Sequence, residues 1–488
     1  MSQDTSTINS VAFVSLGCPK NLVDSEKMLG TLAQSGLELV SDHDEADAIV
    51  VNTCGFMEAS KDESLEVIRE AVQRKEAGGP RRVVVAGCLV QRHRAKLLEW
   101  APGIDAMIGV FDRDHVLEAV RGSAPVRENA VEDPDAPRYW ISGNALQAAD
   151  DRGLATTGLT VHGKDGKGIG YFEDDAQRIR LTPRHWAYLR VSEGCNQKCA
   201  FCTIPSIRGK MRSKPLERIL EEAKALANEG CFELNLIGQD TTSFGYDIGD
   251  QGGLVGMLES IDSILHGAGG GWARLMYAYP TFFDDAMIDA IGRLQHVVNY
   301  IDIPLQHITN LSLLRMNRPP RAHTEDLLYK LRDRIPNLAL RTTFISGFPG
   351  ETQEEHEDLM RFTREFKFER LGAFAYSEED GTPAATYPDQ VEQAVRDLRR
   401  DQLIAQQQQI SEDFAQSRVG SEVDVIIDGF NPEFDAWTGR TSLEAPDIDP
   451  IVFVADPTGG QRALEMGQMR RCKIVGTSLF DLEAHLVD

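Results

Sequence analysis

Three cysteines stand close together in the segment SEGCNQKCAFCTIP, at positions 195, 199 and 202. Their C-x3-C-x2-C spacing places three thiolates on one short loop, and no obvious fourth ligand accompanies them. A structural zinc site usually has four protein ligands, whereas an iron–sulfur cubane bound by three cysteines keeps one iron open. That open iron can chelate a small molecule through an amine and a carboxylate. The spacing therefore favours an iron–sulfur cluster, with a zinc loop as the alternative.

A second set of cysteines is spread along the chain. Cys18, Cys54 and Cys88 each follow a predicted strand, in VAFVSLGC, DAIVVNTC and RRVVVAGC. The carboxyl ends of parallel strands lie along one edge of a sheet, where ligands bind. Any one of these residues alone would be read as a small packed thiol, which is our prediction for Cys231 and Cys472. The threefold repeat of strand and cysteine instead predicts a second cluster.

The elements that would position both sets follow from the alternation of apolar and amphipathic segments. Strands and helices alternate over residues 11–120, which predicts a parallel βαβ sheet. Six further strand–helix units predict an incomplete parallel barrel with its active site at the carboxyl ends of the strands. Short strands near the C-terminus predict a small β-barrel. The expected class is α/β, with these parts: 8–122, the first domain; 123–180, a linker or insertion; 181–416, the barrel; and 417–488, the small β-barrel.

The charge of the chain limits its partners. The net charge is −25 at pH 7, and residues 421–488 hold 13 Asp and Glu against 5 Lys and Arg. Phosphate contacts need clustered cations, so nucleic acid is disfavoured as a direct substrate and a basic protein surface is favoured. Solubility alone is the simpler explanation of the acidity. No apolar run approaches the ~20 residues of a membrane span and no leader is visible, so we expect a cytoplasmic protein without membrane contact.

The cysteine loop resembles that of the radical S-adenosylmethionine enzymes. The resemblance implies a 4Fe-4S cluster on Cys195, Cys199 and Cys202, with S-adenosylmethionine on the open iron. It further implies an electron donor and cleavage of the sulfonium to a 5′-deoxyadenosyl radical. Phe201 occupies the aromatic position that this family places beside the adenosine.

Both cysteine sets together, with the six-unit barrel and a terminal barrel of TRAM type, resemble the methylthiotransferase family. The resemblance implies an auxiliary 4Fe-4S cluster on Cys18, Cys54 and Cys88 that carries sulfide or another sulfur source. It also implies that S-adenosylmethionine serves twice, as the radical source and as the methyl donor. The product would be a carbon bearing a methylthio group.

Three motifs indicate a branch of this family. SLGCPKNLVDSE (15–26), LTPRHWAYLRVSEGCNQKCAFCTIPSIRG (181–209) and GRTSLEAPDIDPIVFV (439–454) are similar to the branch that modifies an aspartate β-carbon of ribosomal protein uS12. The tRNA branch usually carries Gly-Cys-Gln-Met-Asn where this chain has Gly17-Cys18-Pro19-Lys20-Asn21. The implied partner is basic uS12, free or within the small ribosomal subunit. The alternatives are a tRNA (N6-isopentenyladenosine) methylthiotransferase and a non-catalytic iron–sulfur carrier.

Residues at other strand ends are candidates for cofactor contact. Gly347, Gly350 and Glu351 follow the fifth barrel strand and Gln239 follows the second, so we expect them near S-adenosylmethionine. A tight turn explains the glycines equally well, and helix capping is an equal explanation for Asp240. His307 is more simply a structural histidine. No catalytic residue is predicted beyond the cluster ligands, because the cofactors would carry the chemistry.

Overall fold

The structure is a computed structural model. It describes residues 8–122, 137–151, 170–171, 173, 175–455 and 464–487. Most of the predicted linker, 123–180, therefore lies outside the described residues. No helix in the described part of the chain is both long enough and apolar enough to cross a bilayer.

The first domain is built on a six-stranded sheet in the order β2-β1-β3-β4-β5-β6, with every neighbouring pair parallel. Its central strands are apolar and buried on both sides, as expected when helices cover both faces. The strands are β1 Ser10–Ser15, β2 Glu38–Val40, β3 Ala48–Thr53, β4 Arg82–Gly87, β5 Ala106–Ile108 and β6 Arg138–Trp140. The helices are α1 Pro19–Gln34, α2 Glu58–Glu76, α3 Cys88–His93, α4 Lys96–Trp100, α5 Val116–Arg121 and α6 Ala145–Asp151.

The second domain is an open barrel of six parallel strands in the order β14-β13-β12-β11-β10-β7. A short antiparallel pair, β8 with β9, flanks the cysteine loop. The strands are β7 Trp186–Arg190, β8 Ser192–Glu193, β9 Arg212–Ser213, β10 Glu233–Ile237, β11 Trp272–Leu275, β12 Val297–Asp302, β13 Ala339–Ser346 and β14 Arg370–Ala375. The helices are α7 Ile204–Ile207, α8 Leu216–Asn228, α9 Gly253–Gly267, α10 Asp285–Arg293, α11 Asn310–Arg315, α12 Arg321–Arg334, α13 Gln353–Phe366 and α14 Gln393–Ser417.

The third part is a closed five-stranded barrel in the order β15-β16-β17-β19-β18. Its strands are β15 Glu422–Asn431, β16 Ala436–Arg440, β17 Val452–Ala455, β18 Met469–Ser478 and β19 Asp481–Leu486. The predicted α/β class with an incomplete barrel and a small terminal barrel is confirmed. The last strand, β19, has no counterpart in the sequence prediction, although its residues DLEAHL alternate between polar and apolar.

The range predicted as a linker contributes structure to both of its neighbours. Arg138–Trp140 adds a sixth parallel strand beside β5, and α6 packs Ala145, Ala148 and Ala149 against Phe111. Further along, Glu173 and Asp175 are buried although their surroundings read as loop composition. These two carboxylates are buried because arginines of the second domain pair with them.

Six buried charged residues join the first and second domains, and we call them the seam network. They are Asp24, Arg113, Asp175, Arg190, Glu193 and Arg208. Arg190 donates to Asp24 at 2.7 Å, to Glu193 at 2.8 Å and to Asp175 at 3.1 Å. Burial alone would raise the pKa of Asp24, but the guanidinium groups of Arg190, Arg113 and Arg208 hold it below its ordinary value. The two domains therefore share one charged core.

The terminal barrel docks at the amino ends of the strands of the second domain. Arg440 donates to Glu233, the first residue of β10, at 2.6 Å. Glu444 accepts from Arg370, the first residue of β14, at 2.9 Å. Leu443 and Ala445 pack with Tyr300 in the interior of the open barrel. The loop after β16 therefore closes the floor of that barrel.

Substitution of Glu444 by glutamine is expected to destabilise this docking by about 3 kcal/mol at pH 7. Burial alone would raise the pKa of Glu444, but Arg418 and Arg370 bring it from 4.5 down to about 2, and each pKa unit corresponds to ~1.4 kcal/mol. A depressed carboxyl pKa stabilises the fold above pH 4.5, and this contribution is lost as the pH falls toward 2. Urea unfolding followed by tryptophan fluorescence at pH 7 measures the loss. Glu422→Gln, in a half-exposed pair with Arg471, is the control, and equal losses in the two variants would contradict the prediction.

Candidate functional site

Cys195, Cys199 and Cys202 lie on the loop between β8 and α7, beyond the carboxyl end of β7. The Cys195 amide donates to the Gly209 carbonyl at 3.1 Å and the Cys202 amide to the Cys199 carbonyl at 3.1 Å. The side chain of Gln197 donates to Asp240 at 2.8 Å. These bonds hold the loop against the turn after β10, so the three sulfur atoms occupy the mouth of the open barrel.

The Cys199 sulfur is flanked by two polar side chains of the barrel. Arg318 lies 3.7 Å and the Tyr279 hydroxyl 3.8 Å from this sulfur. The Arg318 guanidinium also covers the Tyr279 ring at 4.2 Å from its centroid. A cavity of about 530 Å³ opens beside them. Its lining includes Gln197, Lys198, Tyr279, Asn317, Arg318 and His323.

Cys18, Cys54 and Cys88 lie at the carboxyl ends of the neighbouring strands β1, β3 and β4. The loop that carries Cys18 approaches Cys54 so closely that a Cβ on Gly17 would stand 2.7 Å from the Cys54 Cβ. Gly17 also has φ +89°, which favours glycine. Glycine is therefore needed at position 17 for these two cysteines to lie side by side.

Arg208 connects the second cysteine set with the barrel. Its guanidinium donates to the Cys88 sulfur at 3.4 Å, to Asp24 at 3.0 Å and to Glu193 at 2.9 Å. Burial raises the pKa of Cys88 to about 12, and the Arg208 charge acts against that rise. The seam network thus places a fixed cation beside a thiol that needs one to become a thiolate.

The donor sets fit iron–sulfur clusters better than a single ion. Among the residues that the structure describes, no three Cys, His, Asp or Glu side chains converge closely enough to hold one metal ion. A cubane binds each thiolate at a different iron, so its cysteines must stand apart. Burial also raises the pKa of Cys195 and Cys202, and iron coordination would supply the charge that keeps these thiols deprotonated. The assignment of one cluster to each set of three thiols stays a prediction.

The residues predicted to contact S-adenosylmethionine fall into two groups. Phe201 lies within the cysteine loop, directly before Cys202, and is partly exposed, with its ring edge-to-face against Phe348 at 6.4 Å between centroids. Gln239 is also partly exposed and donates to Glu193 at 2.6 Å. Both side chains lie at the barrel mouth, and their contact with S-adenosylmethionine stays a prediction.

Gly347, Gly350 and Glu351 instead form an internal turn. Gly347 has φ +72°, and a Cβ there would stand 2.4 Å from the Arg396 side chain. The Glu351 carboxylate accepts from the Gly347 amide at 2.6 Å and the Phe348 amide at 3.1 Å. Burial raises the pKa of Glu351 to about 7 despite the opposing charge of Arg399. These contacts explain the three residues without a ligand, so their role toward S-adenosylmethionine stays a prediction.

The remaining sequence candidates have internal partners. Asp240 accepts from Ser243 and Thr242, which orders the turn after β10. The His307 ring accepts from the Thr309 amide at 3.1 Å within a buried site. Cys231 and Cys472 are buried in two apolar clusters.

Lys20, Arg208 and Arg318 escaped the sequence analysis. Lys20 is 6% exposed, and its ammonium lies 3.1 Å from the centroid of the Tyr277 ring. Lys20 and Arg208 follow the two cysteine motifs in sequence, whereas Arg318 lies between α11 and α12. Nothing local indicated that side chains from distant segments would meet.

Family models match three stretches of the chain. Residues 10–109 match an uncharacterized protein family, UPF0004; residues 189–363 match the Radical SAM superfamily; and residues 419–487 match the TRAM domain. The first stretch holds β1 to β5, the second holds β8 to β13, and the third holds all five strands of the terminal barrel. The two cysteine sets fall in the first and second stretches.

Similar proteins carry one name. The chain is 39% identical to the "Ribosomal protein uS12 methylthiotransferase RimO" of Symbiobacterium thermophilum, over 97% of this chain and 90% of that protein. It is 38% identical to the protein of the same name from Geotalea uraniireducens, over 99% of both chains. The protein of this name from an Anaeromyxobacter species is 41% identical over 90% of this chain and 86% of its own length.

A solved structure supports the fold. The radical S-adenosylmethionine methyltransferase TsrM from Kitasatospora setae, solved with cobalamin and a [4Fe-4S] cluster, superposes with a TM-score of 0.53. The match covers 78% of this chain and 74% of that one at 13% sequence identity. At this identity the likeness concerns the fold alone.

Proposed function

Because this chain belongs to the family of ribosomal protein uS12 methylthiotransferases named RimO, we propose that it places a methylthio group on the β-carbon of an aspartate in uS12. It is a radical S-adenosylmethionine transferase. The observation that carries the proposal is the placement of one three-cysteine set at the strand ends of each domain, with Arg208 of the second domain donating to Cys88 of the first. The cysteine set of the second domain serves radical formation and the set of the first domain serves sulfur transfer. The seam network lies between these two domains.

The chain's own residues hold and separate the two reactive centres. Cys195, Cys199 and Cys202 hold one 4Fe-4S cluster, and Cys18, Cys54 and Cys88 hold the other. When bound, these cofactors supply the electron that cleaves S-adenosylmethionine and a place for the sulfur. Phe201 and Gln239 contact S-adenosylmethionine, and the turn of Gly347, Gly350 and Glu351 supports its site. The seam network fixes the orientation of the two domains and excludes water from between them.

The acidic surface fits a basic protein substrate. Phosphate-rich RNA would be repelled by the terminal barrel, with 13 acidic against 5 basic residues over 421–488, whereas basic uS12 would be attracted. The reaction requires an electron donor and takes place in the cytoplasm, on free uS12 or on the small subunit. S-adenosylmethionine also donates the methyl group, and sulfide or another sulfur source loads the auxiliary cluster. The functional units are residues 8–122, 181–416 and 417–488, with 123–180 between the first two.

Mass spectrometry of uS12 from cells with and without this gene tests the proposal. We expect a gene-dependent gain equal to one SCH3 group replacing one hydrogen, located on an aspartate by peptide fragmentation. Nucleoside analysis of tRNA from the same cells is the matched control and should not change. An unmodified uS12 together with a gene-dependent methylthio-nucleoside would move the enzyme to the tRNA branch. Unmodified uS12 and tRNA would favour an iron–sulfur carrier.

A further inference from the structure

Lys20 stands between the second cysteine set and the barrel mouth. It lies in the first turn of α1, two residues after Cys18, and is 6% exposed. Its ammonium lies over the face of Tyr277, which follows β11. Among the described residues it has no carboxylate within ion-pair distance, and no hydrogen bond from its ammonium is present.

The other buried cations at this seam are saturated with partners. Arg190 and Arg208 each bond to two or more carboxylates. A buried charge is costly unless it is paired and hydrogen-bonded. A ring face attracts an ammonium, but it satisfies none of the three donors of that group by a hydrogen bond to oxygen. The three donors of Lys20 are therefore available to a ligand.

The charged groups that face Lys20 are already engaged elsewhere. Asp302 accepts from the Tyr277 amide at 3.2 Å and lies 3.7 Å from Arg341. Glu193 accepts from Arg190, Arg208 and Gln239. Arg208, the neighbouring cation, is bound to Asp24, Glu193 and Cys88. Both facing carboxylates, Asp302 and Glu193, therefore already have donors other than Lys20.

The strand ends near Lys20 have two features that are common at binding sites, partial exposure and unusual backbone conformation. Gln239, Tyr277 and Gln306 are partly exposed at the carboxyl ends of β10, β11 and β12. Tyr277 has φ +61° and Gln306 has φ +74°, a left-handed conformation that is uncommon for residues with side chains. Such strained residues concentrate at functional sites. The ring that the ammonium covers, that of Tyr277, is therefore partly exposed at the same strand ends as Gln239 and Gln306.

We propose that Lys20 binds the side-chain carboxylate of the substrate aspartate, an inference that rests on the proposed function. An ionised carboxylate is an acceptor-only group, which complements the three unused donors of the ammonium. The β-carbon is bonded to that carboxylate and Lys20 is two residues from Cys18, so the contact would place the reacting carbon beside the sulfur-bearing centre. Lys20 is thus a specificity residue for an acidic side chain.

The experiment is a double-mutant cycle on binding to the reconstituted holoenzyme. Its enzymes are the wild type and Lys20→Met, which keeps an unbranched chain and removes the charge. Its ligands are uS12 and a uS12 in which asparagine replaces the aspartate found by mass spectrometry. We expect the wild type to prefer the aspartate form by about 10- to 100-fold in Kd, the strength of a hydrogen bond to a charged group. The Lys20→Met enzyme should bind both forms alike.

Controls separate this role from others. Lys27→Met, on the same helix, removes a lysine that donates to the Ala176 carbonyl and should keep the preference for aspartate. Lys20→Arg should retain the preference and lower kcat, because the charge is kept and its position changes. If Lys20→Met fails to bind iron, Lys20→Gln provides the same comparison.

A cation that served only to offset the charge of the auxiliary cluster would give a different result. The variant would then shift the cluster's reduction potential and weaken both forms of uS12 equally. Retained preference in Lys20→Met, or equal weakening of both ligands, would overturn the inference. Failure of the proposed function is distinguishable, since wild-type enzyme would then leave uS12 unmodified.

Discussion

Replacement of Cys88 by alanine is expected to abolish methylthio transfer to uS12 and to remove about half of the bound iron, because the two clusters are of equal size. Alanine at position 18 or 54 should act in the same way, since each cysteine supplies one of only three thiolates. Alanine at position 195, 199 or 202 should also stop transfer, and in addition should stop cleavage of S-adenosylmethionine. Iron content, electron paramagnetic resonance of the reduced protein and product mass spectrometry measure the three effects.

The two remaining cysteines are matched controls. Cys231→Ala and Cys472→Ala remove buried thiols that pack in apolar clusters away from both sets. They should keep full iron content and product formation, with a small loss of stability from the missing sulfur atom. Wild-type turnover in Cys88→Ala with half of its iron gone would contradict the assignment of the second set.

Substitution of Arg190 by methionine is expected to destabilise the protein by about 3–5 kcal/mol, the loss typical when one partner of a buried ion pair is removed. Arg190 is fully buried and bonds to Asp24, Asp175 and Glu193. Burial alone would raise the pKa of Asp175, and Arg190 is the main group that holds it well below its ordinary value. Without the guanidinium, carboxylates from both domains would face one another in a dry interior. Urea unfolding at pH 7 measures the change.

Arg74→Met is the control for Arg190. Arg74 pairs with Asp44 on the surface, where both side chains are exposed, so its loss should change the free energy of unfolding by about 0–1 kcal/mol. If Arg190→Met unfolded at the same urea concentration as Arg74→Met, the seam network would not hold the domains together. A larger loss confined to Arg190→Met is the expected result.

The strands were predictable because their apolar residues are continuous in sequence. The segments VAFVSL, DAIVVNT and RRVVVAG fall on β1, β3 and β4, and the barrel strands were predicted within a few residues of their positions. Short strands such as Ala106–Ile108 and Arg138–Trp140 carried too few residues for a periodic signal. They form because each pairs in parallel with the edge of the neighbouring strand, β5 with β4 and β6 with β5.

The cysteines were predictable for a related reason, since a repeated pattern of strand and cysteine implies one shared edge. The charged partners were not predictable in the same way. Arg208 lies 120 positions from Cys88 along the chain, and Asp175 stands in a segment that reads as a loop. Their burial depends on pairing between distant segments, which local composition does not encode. Lys20 is the least predictable of these residues, because its proposed role depends on its ammonium having no hydrogen-bond partner among the described residues.

The loop after β16 closes the floor of the open barrel, and this sets the distance between the terminal barrel and the barrel mouth. The terminal barrel contacts Glu233 and Arg370 at the amino ends of strands whose carboxyl ends face the cysteines. A strand of six residues such as β12 is roughly 20 Å long. Any partner that rests on the terminal barrel while presenting a side chain to the mouth must therefore reach along the full height of the second domain. A segment of about six extended residues spans that distance, so a partner that makes both contacts must extend at least that far between them.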